Sequence, residues 1–161
     1  MGRTWLVLAA AALAACSPAG PEGGCTAIGS PSGVGLDIAP ADAARVSTAA
    51  LKICWNGACR TAAPALAPSS GTVPDDCDAG DPDAPCAASA SPTGGKHGFA
   101  DVPELPETPV QVTVTLRDAS GARLLERTVT VTPKPTRPNG PDCDAGGPQA
   151  RLKVSGGLLR G

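Results

Sequence analysis

The chain has 161 residues, with 15 acidic against 13 basic side chains and a formal net charge of −2, so it lacks the basic excess that neutralising nucleic-acid phosphates requires. It contains no Tyr, and its only aromatics are Trp5, Trp55 and Phe99, which excludes a base-stacking platform and makes any core aliphatic. This length suits one modest domain, and the weak mixed charge does not force an unfolded state.

Arg3 precedes an uninterrupted apolar run over residues 6–15, which ends at Cys16. A helix needs roughly 20 apolar residues to span a bilayer, so these ten read as the core of a signal peptide over residues 1–15. Leu13-Ala14-Ala15-Cys16 resembles the lipobox of bacterial lipoproteins, in which small residues admit the lipoprotein peptidase and the cysteine sulfur receives a diacylglyceryl group. The resemblance implies lipid attachment at Cys16, palmitate-type acyl chains and an extracytoplasmic domain on the cell membrane. Each buried methylene contributes about 0.8 kcal/mol, so two chains suffice for stable anchoring. Residues 16–24, Cys-Ser-Pro-Ala-Gly-Pro-Glu-Gly-Gly, have the composition of a flexible tether.

From residue 25 onward a period of two dominates. Val34, Leu36 and Ile38 alternate with Gly35 and Asp37 and predict a first strand before Pro40. Ala49, Leu51 and Ile53 alternate with Ala50, Lys52 and Cys54, and Asn56-Gly57 follows, which predicts a hairpin with a type I′ turn because both turn residues tolerate positive φ. That register sets Trp55 against Ala58 and Cys54 against Cys59, the latter at a non-hydrogen-bonded position where the Cα atoms approach to about 4.5 Å and a disulfide can close.

Residues 62–108 are rich in Pro, Ala, Ser, Gly and Asp, show no sustained period, and read as a long irregular insert. So long a loop is uncommon in a small domain, and short strands near Phe99 to Val102 would shorten it. Val110, Val112, Val114 and Leu116 then alternate with polar partners, Asp118-Ala119-Ser120-Gly121 turns the chain, and a return strand runs from Arg123 to Thr132. Arg127 interrupts its apolar face, and adjacent Leu124 and Leu125 suggest a β-bulge. Ala150, Leu152 and Val154 mark a last long strand, returning through Ser155-Gly156-Gly157 to Leu158-Leu159. No segment after Cys16 fits a helical period better. The expected fold is therefore all-β, an antiparallel immunoglobulin-like β-sandwich over residues 25–161 with the irregular insert at about 62–108.

Seven cysteines, at positions 16, 25, 54, 59, 77, 86 and 143, become six once Cys16 is acylated, enough for three disulfides in an oxidising space. With Cys54–Cys59 set by the hairpin, four remain and allow three connectivities. Cys77 and Cys86 flank a short Pro-containing loop and pair locally, which leaves Cys25 with Cys143.

Asp76, Asp78, Asp81 and Asp83 are the only plausible cation ligands, but the EF-hand pattern fails because Asp81 stands where glycine is needed and no Glu closes the loop. A solvated acidic loop is the simpler reading, so no metal and no cofactor are expected. His97 is the single histidine, without a partner set for zinc. No Gly-x-Ser-x-Gly elbow or Ser-x-x-Lys motif occurs, and no catalytic residue is assigned.

Over most of its length the chain resembles small lipoproteins of high-GC Gram-positive (actinobacterial) type. The resemblance rests on the lipobox, Cys25-Thr26-Ala27-Ile28-Gly29, Ile53-Cys54-Trp55-Asn56-Gly57-Ala58-Cys59-Arg60 and Pro138-Asn139-Gly140-Pro141-Asp142-Cys143. It implies a fold and an address and no substrate. The expected function is a membrane-anchored, non-enzymatic structural or interaction module with an unidentified protein or cell-wall partner. A ligand-binding lipoprotein for cell-wall glycan or Ca²⁺ is the alternative.

Overall fold

The structure, a computed structural model, describes residues 25–74 and 87–161. Those residues form ten strands and one helical turn: β1 (Gly33–Ile38), α1 (Pro40–Ala43), β2 (Thr48–Trp55), β3 (Ala58–Ala62), β4 (Ala67–Pro74), β5 (Ala88–Asp101), β6 (Val110–Arg117), β7 (Arg123–Val131), β8 (Lys134–Pro135), β9 (Pro148–Ser155) and β10 (Leu158–Arg160). Two sheets result. Sheet A runs β10-β9-β1-β5-β4 with β8 also on β9, and sheet B runs β3-β2-β6-β7.

Period-two residues from both sheets meet between them. Val34, Leu36 and Ile38 of β1, Leu152 and Val154 of β9, Leu51 and Ile53 of β2 and Val110, Val112, Val114 and Leu116 of β6 are all at most 2 % exposed. This aliphatic layer supplies the main stabilisation, since each fully buried side chain of this kind contributes about 1.5–3 kcal/mol over its exposed state.

Three sequence expectations need correction. First, sheet A is not purely antiparallel, because β1 lies antiparallel to β5 but parallel to β9, with Val34 beside Ala150 and Ile38 beside Val154. Second, the supposed irregular insert holds two long strands: β4 and the 14-residue β5 fall within residues 62–108. The positions of β5 that face the core, opposite Ile38, Leu36 and Val34, are Lys96, Gly98 and Ala100, so no apolar alternation marks the strand. At Gly98 an added Cβ has no room, since it would stand 2.9 Å from the Ala65 carbonyl oxygen. Lys96 escapes the core by donating from Nζ to the Val46 carbonyl oxygen. Third, α1 is a helical turn that begins on Pro40, a residue suited to a first helical position.

The hairpin turns follow the residue chemistry. Asn56 and Gly57 both have positive φ (48° and 75°), as do Gly156 and Gly157 (59° and 72°), the signature of a type I′ connection. Asp42 of α1 holds the second hairpin by accepting from the Gly156 and Gly157 amides at 2.7 and 3.2 Å. Asp42→Ala should lower stability by about 1–2 kcal/mol and speed hydrogen exchange at those two amides, whereas unchanged exchange would show that the hairpin holds without this contact.

Each sheet edge is protected against adding a further strand. Arg60 on β3 stands opposite buried Ile53, and Arg127 on β7 opposite buried Val114, so both edges of sheet B carry a charge on their core-facing side. Pro68 and Pro74 interrupt β4, and β10 has three residues. Inward charges, prolines and short edges all discourage edge-to-edge pairing. The arginine that breaks the apolar pattern of β7 is thus explained by its position at the rim.

Beyond the Ile38–Lys96 pair β5 has no β1 neighbour, and Ser70 to Pro74 pairs with Ala88 to Pro92 as a two-stranded arm. The arm projects past the end of β1, and its ladder brings Pro74 opposite Ala88. Cys77, Cys86 and the acidic residues between them lie outside the described residues.

Candidate functional site

Two of the cysteine pairs expected from the sequence are closed. Cys54 and Cys59 face each other across the β2–β3 hairpin with Cα atoms 4.1 Å apart, and Cys25 joins Cys143 with Cα atoms 5.8 Å apart over a sequence separation of 118. The second closure follows from the parallel β1–β9 pairing, which places the starts of the two strands side by side. Around it the incoming segment is held by side chains. Asn139 accepts from the Ile28 amide and donates to the Ile28 carbonyl oxygen, both at 3.2 Å, and Gln149 donates to the Pro31 carbonyl oxygen at 2.8 Å. Cys16 precedes the described residues, as Asp76, Asp78, Asp81 and Asp83 fall between them. Among the described residues no group of three or more His, Cys, Asp or Glu could hold a metal ion.

The residues with chemical potential collect on the outer face of sheet A. There β9 presents Arg151, Lys153 and Ser155, β1 presents Gly35 and Asp37, β5 presents His97, Phe99 and Asp101, and β10 presents Leu158 and Arg160, each alternating with positions turned to the core. Phe99 lies over β1, since a Cβ on Gly33 would meet its Cζ at 2.6 Å. The glycines of β1 therefore make room for the ring, a contact absent from the periodicity of either strand.

On this face Ser69 Oγ lies 3.2 Å from His97 Nδ1, and Asp37 stands opposite His97 in the register. A nucleophilic serine needs a histidine oriented by a carboxylate on its other ring nitrogen. Here the Asp37 carboxylate instead faces Arg151, with Oδ2 3.6 Å from Nη1, and His97 and Phe99 stand open to water. The geometry is that of a cross-strand polar ladder.

Carboxylates elsewhere are tuned by local turns. The Ser120 hydroxyl and the Ser120, Gly121 and Ala122 backbone hold Asp118 below its ordinary range, and Arg123 with Thr115 does the same for Glu126. Both serve the β6–β7 hairpin, where Asp118 Oδ1 accepts from Ser120 and Ala122 at 2.7–2.9 Å. A shallow concavity of about 350 Å³ opens between β3 and the end of β5, lined by Arg60, Ala62, Asp101, Val102 and Glu104 and spanned by the Arg60–Glu104 ion pair at 3.1 Å. Its rim charges are paired and exposed, and nothing in it converges on a reacting atom. Searched against protein-family models, curated proteins and solved structures, the chain matches none.

Proposed function

We propose that the chain is an extracytoplasmic lipoprotein, fixed to the cell membrane by lipid on Cys16 and carrying a non-enzymatic β-sandwich that serves as a structural or interaction module. The observation that carries this reading is Leu13-Ala14-Ala15-Cys16 directly after the apolar run of residues 6–15. Cysteine usage supports it. Two disulfides among the described residues suit an oxidising compartment, and a local Cys77–Cys86 pair would leave Cys16 as the one thiol free for acylation. The clasp at Cys25 adds a mechanical argument, because it lets a tether end on a covalently closed domain. The finer assignment of the sandwich is immunoglobulin-like.

Mass spectrometry of the membrane fraction tests the anchor. The expected result is a mature chain beginning at Cys16 with a diacylglyceryl adduct and all six other cysteines oxidised. A mature chain beginning elsewhere, with unmodified Cys16, would overturn the proposal.

A further inference from the structure

The chain has two asparagines, and each stands before a glycine: Asn56-Gly57 at the tip of the β2–β3 hairpin, and Asn139-Gly140 in the segment that holds the Ile28 backbone. The glycine nitrogen carries no bulky neighbour, so it can reach the asparagine Cγ and close a succinimide ring, provided that both groups are free to meet.

One pair is held and the other is not. Asn139 is half-buried; its Oδ1 accepts from the Thr26 hydroxyl and from the Ile28 amide at 3.2 Å, and its Nδ2 donates to the Ile28 carbonyl oxygen at 3.2 Å. The nitrogen that would attack is engaged as well, since the Gly140 N–H donates to the Arg137 carbonyl oxygen at 3.2 Å. Arg137 in turn donates to the Pro141 and Cys143 carbonyl oxygens, both at 2.9 Å, which fastens the turn beyond the pair. At the hairpin tip Asn56 and Gly57 are exposed, and among the described residues neither the Asn56 side chain nor the Gly57 N–H has a hydrogen-bond partner. A Cβ built on Gly57 would meet nothing within 4 Å. Cross-strand pairing ends at Trp55 and Ala58, and the Cys54–Cys59 disulfide one step behind keeps the strands together. The two tip residues can therefore rotate out of their turn while the sandwich stays folded, a local opening of far smaller free energy than global unfolding.

We infer that Asn56 is a site of spontaneous deamidation in the folded protein and that Asn139 is spared. The Gly57 nitrogen gives its proton to hydroxide, attacks Asn56 Cγ and forms the N–Cγ bond. The Cγ–Nδ2 bond breaks, and the departing nitrogen takes a proton from water and leaves as ammonia. Water then opens the succinimide at either carbonyl, giving aspartate or, by attack at the main-chain carbonyl, isoaspartate. Water enters, ammonia leaves, and nothing is oxidised or reduced. Each event makes the formal net charge one unit more negative than −2. Isoaspartate also adds a methylene to the main chain of a turn built on the positive φ of Asn56 and Gly57.

The purified full chain, with its disulfides intact, is incubated at mildly alkaline pH in heavy-oxygen water and followed by peptide mapping, which counts only rings opened during the incubation. One hydrogen bond of ordinary net strength shifts an opening equilibrium about five- to ten-fold. Asn139 must give up several, so Asn56 should convert at least about ten-fold faster. Isoaspartate-specific methylation should mark the peptide around Asn56 and pass over the one around Asn139. In urea, with the disulfides still closed, the two rates should converge. Conversion of Asn139 as fast as Asn56 in the folded chain would refute the inference. So would conversion of both in urea with none at Asn56 in the folded chain, because the closed turn would then itself be protective. A gap that persists in urea overturns it too, by assigning the difference to the following residues Ala58 and Pro141.

Discussion

Replacing Cys25 and Cys143 together with serine should lower the unfolding free energy by about 5 kcal/mol, the loop-closure contribution of a cross-link over 118 residues. The corresponding change at Cys54 and Cys59, five residues apart, should cost about 2 kcal/mol on the same scale. Small domains have about 5–15 kcal/mol in total, so loss of the long clasp brings this one close to its unfolding threshold. It also releases the segment that Asn139 and Gln149 hold against the start of β1. Urea unfolding followed by Trp55 fluorescence measures both variants. A hairpin variant that is the less stable of the two would refute the assignment of the long clasp as the dominant cross-link.

Leu36→Ala should cost about 2–5 kcal/mol. Leu36 is 1 % exposed in β1, between β5 and β9, with Gly98 and Leu152 as its lateral partners. Glycine on one flank supplies no side chain that could move into the cavity, which places the expected loss in the upper half of that range. Leu158→Ala is the matched control, because Leu158 is 56 % exposed and its truncation should change stability by no more than about 0.5 kcal/mol. Comparable urea midpoints for the two variants would show that the core is not organised around β1.

The strands that the sequence made legible are those whose core-facing positions are branched aliphatics. Val34-x-Leu36-x-Ile38 and Val110-x-Val112-x-Val114-x-Leu116 announce themselves, and Asn56-Gly57 fixes the register that brings Cys54 to Cys59. β5 was illegible because the β3–β4 connection, through the Ala65 carbonyl oxygen, Pro64 and Leu66, packs directly on Gly98 and leaves no room for a side chain there, while another of its core-facing residues, Lys96, reads as surface. β4 was hidden for a related reason. As an edge strand it can carry Pro68, Ser69, Ser70 and Gly71, residues that local propensity assigns to loops.

The parallel neighbourhood of β1 and β9 could not be read from either strand, because alternation reports which face is buried and carries no information on the direction of a neighbour. The same limit applies to the outer face of sheet A. Phe99 lies far from Arg151 and Leu158 in sequence, and only the strand order sets it on one surface with them. Ser69 beside His97 is a further case, since it depends on the bulge between Pro68 and Ser70 in the β4–β5 ladder.

The position of β1 has a consequence for biogenesis. It precedes every other described strand of the domain, yet both of its neighbours, β5 (Ala88–Asp101) and β9 (Pro148–Ser155), come much later in the chain. A chain delivered from its amino end can close the Cys54–Cys59 hairpin early, because that contact is local, but cannot pair Val34, Leu36 and Ile38 on both sides until Pro148–Ser155 has arrived. Contacts of such long sequence separation slow folding. On the proposed export route this delay is useful, since a domain whose central strand waits for β9 stays thread-like during translocation and locks, through Cys25 and Cys143, only after that late strand has crossed.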